Sequence, residues 1–225
     1  MSLIIDRGRL MLPGPTDGAA ERRVPSERLH LIPEAARRSF VPWVSDLPGL
    51  KLGENDLTRI APGRPQAEGE VIEISGHVLD EFGRPVRNTL VEIWNANTWG
   101  RYTHVKDPVR ERLDPNFLGF GRTMTDEAGR YRFRTIMPGS YLARPDIDRW
   151  RPAHVHVSIR GGSARLIAQM YFAGDPHLAR DPMFILLGEA QPRHFGNLTG
   201  QGPSGEELYN WDIVIGGRNT AYFES

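Results

Sequence analysis

Residues 71–94 read VIEISGHVLDEFGRPVRNTLVEIW. The apolar residues Val71, Ile72, Ile74, Val78 and Leu79 gather around Gly76, and Asp80 to Pro85 form a polar break carrying Gly83 and Pro85. Leu90-Val91-Glu92-Ile93-Trp94 then resumes in residues that suit a pleated, half-buried surface. Short apolar runs bounded by Gly, Pro and Asp read as strands joined by tight turns. The pattern recurs downstream. Asp126-Glu127-Ala128-Gly129 is a second turn, and Tyr131-Arg132-Phe133-Arg134 alternates with period two. The runs Ala153 to Ile159, Leu166 to Phe172 and Tyr209 to Ile215 continue it. No long helical periodicity and no internal repeat interrupts the series. The expected fold is all-β, an antiparallel β-sandwich core with long loops.

Upstream of this region the texture is different. Residues 1–66 carry Pro13, Pro15, Pro33, Pro42, Pro48, Pro62 and Pro65 with few periodic apolar positions between them. A short helix from Pro33 to Arg38 fits, because proline is favoured at a first helical position. The rest reads as an extended N-terminal arm. Free loops of this length are uncommon in compact proteins, and Leu29, Leu31, Ile32, Phe40, Val41 and Trp43 are too apolar to be left in water. The expected division is therefore an arm or interface segment, 1–66, and a sandwich domain, 67–225.

Composition narrows the function classes. Glycine (24) and proline (18) together make up about a fifth of the 225 residues, above the average of roughly 12 per cent and below that of low-complexity chains. Lys plus Arg (28) equals Asp plus Glu (28), so there is no bulk attraction to nucleic acid or to an anionic membrane. No stretch approaches the roughly 20 apolar residues of a membrane-spanning helix. The opening MSLIIDRGRLMLPG places Asp6 and Arg7 too early for a secretory signal, so the expected location is the cytoplasm. There is no cysteine, which excludes disulfides, thiolate metal sites and a cysteine nucleophile. Any metal must be held by His, Tyr, Asp or Glu.

The sharpest chemical signal is Arg151-Pro152-Ala153-His154-Val155-His156. Residues two apart on a strand share a face, so both imidazoles converge. A bare His-x-His is more often a structural pair than a metal site, but Trp150, Arg151 and Pro152 are unusual neighbours for a plain surface strand. Tyr102 and His104, Tyr141, and the carboxylates Asp146 and Asp148 are available to complete a shell. Histidine with carboxylate suits zinc or ferrous iron. Histidine with tyrosinate suits ferric iron, whose charge favours the ionised phenolate. Spacing alone leaves both open.

Taken together, ISGHVLDEFGRPV, LVEIWNANTWGRYTH, LDPNFLGFGR, TDEAGRYRFRTIMPGSY, WRPAHVHVSI, AQMYF and the tail RNTAYFE resemble the intradiol ring-cleavage dioxygenases, and most closely their protocatechuate-cleaving β chains. The resemblance implies a non-haem ferric iron, Fe(3+), held by Tyr102, Tyr141, His154 and His156. It implies intradiol cleavage of a catechol, protocatechuate in the first place, by O2 with both oxygen atoms incorporated. Tyr141 also falls on the residue that accepts a substrate proton, Arg151 on the arginine that stabilises developing negative charge, Gln169 on a residue beside the substrate, and Trp94 on an aromatic packed near the first tyrosine. Asp146 and Asp148 become loop residues. A homologous α chain in a hetero-oligomer is the implied partner. One departure stands out. Leu142-Ala143 occupies positions where these enzymes usually carry Pro-Trp, which points to a roomier pocket and leaves another para-substituted catechol or hydroxyquinol as an alternative substrate. Residues 74–94 taken alone also resemble non-catalytic transthyretin-like binding modules, and the two histidines with a carboxylate would suit a zinc hydrolase.

Overall fold

The alternation within residues 71–80 is what builds the first strand. The computed structural model describes residues 53–104, 107, 109–161 and 164–216, all within one compact unit. Val71–Asp80 forms β1, burying Ile72, Ile74 and Val78 on one face. The strands that follow are β2 (Leu90–Asn95), β3 (Phe120–Met124), β4 (Arg130–Ile136), β5 (Tyr141–Arg144) and β6 (Arg149–Arg151). Then come β7 (His154–Gly161), β8 (Ala164–Tyr171), β9 (Asn197–Gln201), β10 (Glu207–Asn210) and β11 (Ile213–Ile215), with a short helix α1 (Pro182–Leu186) between β8 and β9. No described helix is long and apolar enough to cross a membrane.

Two sheets make the sandwich. The first joins β4, β1, β11, β10 and β9; the second runs β3-β2-β7-β8 and is antiparallel throughout. The first sheet is mixed: β4 is antiparallel to β1, whereas β10 and β11 run parallel to it. Parallel pairing needs a long connection, and the long chain between β1 and β10 supplies it. The run Tyr209 to Ile215 is not one strand but two. It breaks at Trp211, whose N–H donates to Ser75 O at 2.8 Å, so β10 pairs with Ile72–Ser75 and β11 with Val78–Asp80.

The core lies between the sheets. Ile72, Ile74, Val78, Tyr131 and Phe133 meet Val91, Ile93, Val155, Val157, Ile159 and Met170 there. Burying one such aliphatic or aromatic side chain stabilises the fold by about 1.5–3 kcal/mol. Of the expected arm, residues 1–52 lie outside the described residues. Gly53 to Gln66 lies against the sandwich: Leu57 is buried in the core, its N–H donates to Arg134 O at 2.8 Å, and its carbonyl accepts from Leu118 N at 3.0 Å. The tail RNTAYFE also lies outside the described residues.

The alternation of β7 positions everything that follows. Val155, Val157 and Ile159 point into the core, so His154, His156 and Ser158 point to the opposite face of the second sheet. The same strand thus serves the hydrophobic core with one set of side chains and a polar site with the other. The β5–β6 hairpin is laddered only to itself.

Candidate metal centre

Register assembles the floor of the site. Across the ladder His156 opposes Trp94 of β2 and Gln169 of β8, and His154 opposes Tyr171 of β8. Directly opposed residues share a face, so these five side chains stand together without any help from loops. The Trp94 indole lies flat on the His156 imidazole, with ring centroids 4.9 Å apart and planes within 6°.

Two loops roof it. In the β2–β3 loop, Asn97 Oδ1 accepts from the N–H groups of Trp99 and Arg101, both at 3.0 Å. Tyr102 N–H then donates to Asp107 Oδ2 at 2.6 Å, which turns the Tyr102 phenol down onto the histidines. The approach to β5 is tied to the same loop, because Gly139 N–H donates to Asn97 O at 3.0 Å. Contact between the loops depends on Gly100: its φ is +80°, and a Cβ there would sit 2.7 Å from Tyr141 Cβ. Within the hairpin Tyr141 opposes Arg151, which brings a phenol and a guanidinium side by side.

The four residues named as ligands converge. Tyr102 Oη lies 3.1 Å from the Nε2 of His154 and 3.1 Å from that of His156, and the two nitrogens are 3.2 Å apart. Tyr141 is hydrogen-bonded to Tyr102, and the two rings meet edge-on with centroids 5.8 Å apart. The tautomer of His154 follows from its surroundings: Nδ1–H donates to the carbonyl of Pro152 at 2.7 Å, leaving the Nε2 lone pair aimed at the cluster. Three heteroatoms about 3 Å apart, with at most two protons among them, fit neighbouring ligands on one ion, given ligand bonds of about 2.0–2.1 Å. Both imidazoles are buried, His154 being 2 % and His156 8 % exposed. Burial holds His154 well below the usual imidazole range, reinforced by Arg151 and His156, so it stays neutral. Burial also raises the Tyr141 phenol, against the pull of Arg151. A bound cation inverts that preference and favours phenolate.

The positive charge beside them is locked in place. Arg151 is mostly buried, with Nε 3.2 Å from Oδ1 of the fully buried Asp181. Its guanidinium also donates to Gln169 Oε1 at 2.6 Å. Burial alone would lower its pKa, but Asp181 and the surrounding tyrosines raise it above the ordinary value. Gln169 Oε1 accepts a second bond from Tyr171 Oη at 2.7 Å, so the amide is fixed between two donors. Next to Tyr102 a cavity of about 400 Å³ is lined by Trp94, Tyr102, Thr103, His104, Gly119 and Phe120.

The residues that the family resemblance marks as ligands or catalytic groups, Tyr102, Tyr141, Arg151, His154, His156 and Gln169, lie together. Asp146 and Asp148 do not join them. Asp146 is bound by Arg144 at 2.7 and 2.9 Å, and Asp148 accepts from Trp150 Nε1 at 3.1 Å. No group of three or more His, Cys, Asp or Glu forms among the described residues, so the oxygen donors beside the histidines are phenols, and a His/carboxylate zinc site has no support. Three residues that sequence reasoning did not single out belong to the surroundings: Tyr171, Asp181 and Asp175. Tyr171 had a signal, being two residues from Gln169 on one strand. Asp175 and Asp181 sit in a loop where nothing marks them.

A family profile described as a dioxygenase matches residues 50–217. The chain is 43 % identical over 217 residues to a protocatechuate 3,4-dioxygenase β chain of Burkholderia cepacia, covering 93 % of this chain and 91 % of that one. It is 27 % identical over 205 residues to a protocatechuate 3,4-dioxygenase α chain of Pseudomonas putida, covering 87 % and 98 %. Among solved structures, catechol 1,2-dioxygenase from Pseudomonas arvilla C-1 superposes with a TM-score of 0.55 at 28 % identity, over 71 % of this chain and 55 % of that one; the chain spans about half that enzyme's length. With the profile spanning most of the chain and a near full-length match to a β chain, this protein belongs to the intradiol ring-cleavage dioxygenases, in the branch of the protocatechuate 3,4-dioxygenase β chains.

Proposed function

We propose that this chain cleaves protocatechuate to 3-carboxy-cis,cis-muconate with both atoms of O2, using a ferric ion held by Tyr102, Tyr141, His154 and His156. The observation that carries the reading is the triangle of Tyr102 Oη and two imidazole Nε2 atoms at 3.1–3.2 Å, with Tyr141 hydrogen-bonded to its phenol corner. Ferric iron bound there would supply the Lewis acidity that stabilises phenolates, those of the two tyrosines and that of a catechol substrate.

The chain's own groups do the rest. Trp94 holds the His156 ring flat, and Pro152 O fixes the His154 tautomer, so the His154 Nε2 keeps its lone pair toward the centre. Tyr141 stands at the end of the hairpin, next to Arg151, where its phenolate accepts a proton from an incoming catechol hydroxyl. Arg151, held by Asp181 and Gln169, places a fixed positive charge where negative charge grows on the substrate. Such preorganised stabilisation is worth about 10²–10³ in rate per donor. Burial of the two imidazoles and of Asp181 strengthens the electrostatic interactions around them.

Protocatechuate is favoured by the likeness to a β chain. Leu142 and Ala143 lie beside the ligand tyrosine, half-buried, at a register shift between Leu142 and Arg144; an alanine where the family usually carries tryptophan would leave a roomier pocket edge. Likeness to both a β and an α chain supports a hetero-oligomer with a homologous α partner. Steady-state turnover with a catechol panel under ¹⁸O2, by the iron-loaded chain with and without an α chain, tests all three parts. Expected is 3-carboxy-cis,cis-muconate carrying two labelled oxygens. Turnover of another catechol or of hydroxyquinol but not protocatechuate overturns the substrate. Full activity of the chain alone as a homo-oligomer overturns the partner, and inactivity of every combination overturns the reaction.

A further inference from the structure

Tyr141 and Arg151 stand on a two-stranded hairpin that shares no ladder with either sheet. A lone hairpin is marginally stable in water, so something else must fix these two side chains against the imidazoles. The loop that follows β8 does so, residue by residue. Asp175 Oδ2 accepts from Ser140 Oγ and from Ala153 N–H, both at 2.7 Å, while its Oδ1 accepts from His177 N–H at 2.8 Å. The His177 ring stacks on Trp150, with centroids 4.9 Å apart and planes within 9°. Asp181 pairs with Arg151.

The Asp175 contacts have a particular meaning. Ser140 immediately precedes Tyr141, and Ala153 immediately precedes His154. A single carboxylate oxygen therefore joins the chain entering the phenol ligand to the chain entering the imidazole ligand. Resting on the ligand assignment above, we infer that Asp175 is a positioning residue: it sets the placement of Tyr141 relative to His154 by tying Ser140 to the start of β7. It touches neither substrate nor metal. It acts through two neighbours whose ligands are one covalent step away, as outer-shell hydrogen-bond partners of metal ligands do. Charge-assisted bonds of this kind are about twice as strong as neutral ones, which suits a part of the fold that lacks ladder support.

The test compares full-length wild type with Asp175→Ala, Asp175→Asn and Ser140→Ala, each purified with any α chain that proves necessary. Three quantities are read: iron affinity, the tyrosinate-to-iron absorption band per bound iron, and a crystal structure of the metal-free protein. Asp175→Ala is expected to weaken iron binding roughly 10- to 100-fold, to diminish or displace the band, and to move the Tyr141 ring away from Tyr102 and His154. Asp175→Asn keeps one carbonyl oxygen able to accept from both Ser140 and Ala153, and is expected to restore most of the band. Ser140→Ala falls between them. An Asp175→Ala protein that melts earlier but keeps the wild-type band, affinity and Tyr141 position overturns the proposal and leaves Asp175 a plain loop staple. A wild-type chain with no band overturns the ferric reading instead; the metal-free structures then decide the positioning claim, for it or against it.

Discussion

Strand β7 and the β5–β6 hairpin each deliver two functional side chains, and they are held by different physics. β7 is laddered on both edges, to β2 and to β8, and its other face is anchored in the core by Val155, Val157 and Ile159. His154 and His156 inherit that rigidity from the sheet. Tyr141 and Arg151 sit on a ribbon that among the described residues pairs only with itself, fixed by Gly100, Asp175, His177 and Asp181 through individual contacts. A two-part site of this kind combines a half held by sheet ladders and core packing with a half whose placement depends on a few individual contacts. Tyr141, the residue proposed to accept a substrate proton, is on the second half.

Breaking the rigid half has the largest expected effect. His154→Ala should abolish iron retention and activity together, read as iron per chain and as turnover. Arg151→Ala, on the hairpin, should separate the two. Iron content should fall far less than in His154→Ala, while kcat falls about 10²–10³-fold, the cost of losing one preorganised charge-stabilising group. Beneath β7, Ile159→Ala removes a side chain that is buried in the core, and should lower stability by about 2–5 kcal/mol in denaturant unfolding. The absorption band per bound iron should not change.

The smallest effect concerns pH on the sheet side. His194 is buried and donates Nδ1–H to Gln169 O at 2.8 Å; burial and neighbouring Arg193 lower its pKa. The unfolded chain then binds a proton near pH 6.5 that the folded chain does not. Stability is therefore fully present above that pH and is lost as pH falls below it. Unfolding midpoints from pH 5 to 8 should show this slope in the wild type, added to the same-signed slope from buried His154, and His194→Gln should reduce it without abolishing it. An unchanged slope would move the effect to another group.

How much of this was legible follows the same division. β1, β2, β4, β7 and β8 carry an alternating or continuous apolar signature because one face of each enters the core. β5 and β6 carry none: Tyr141-Leu142-Ala143-Arg144 packs no apolar face inward, and its register shifts part-way. β9 is exposed along its whole length and leaves nothing to read. The parallel pairing of β10 and β11 with β1 depends on contacts far apart in the chain, which period-two patterning does not encode. At the site, alternation alone put His154 and His156 on one face, but the choice of phenols over carboxylates came from the family resemblance. Asp175 stayed hidden because its partners lie 22 and 35 residues away and meet it only once the hairpin has folded back.

The central claim is that two phenols and two imidazoles form a ferric site, and the visible absorption spectrum of the iron-loaded protein tests it most directly. The account predicts a red-brown protein with a tyrosinate-to-iron charge-transfer band that changes in Tyr102→Phe and in Tyr141→Phe. A colourless iron-loaded protein, or a band indifferent to both substitutions, would contradict it.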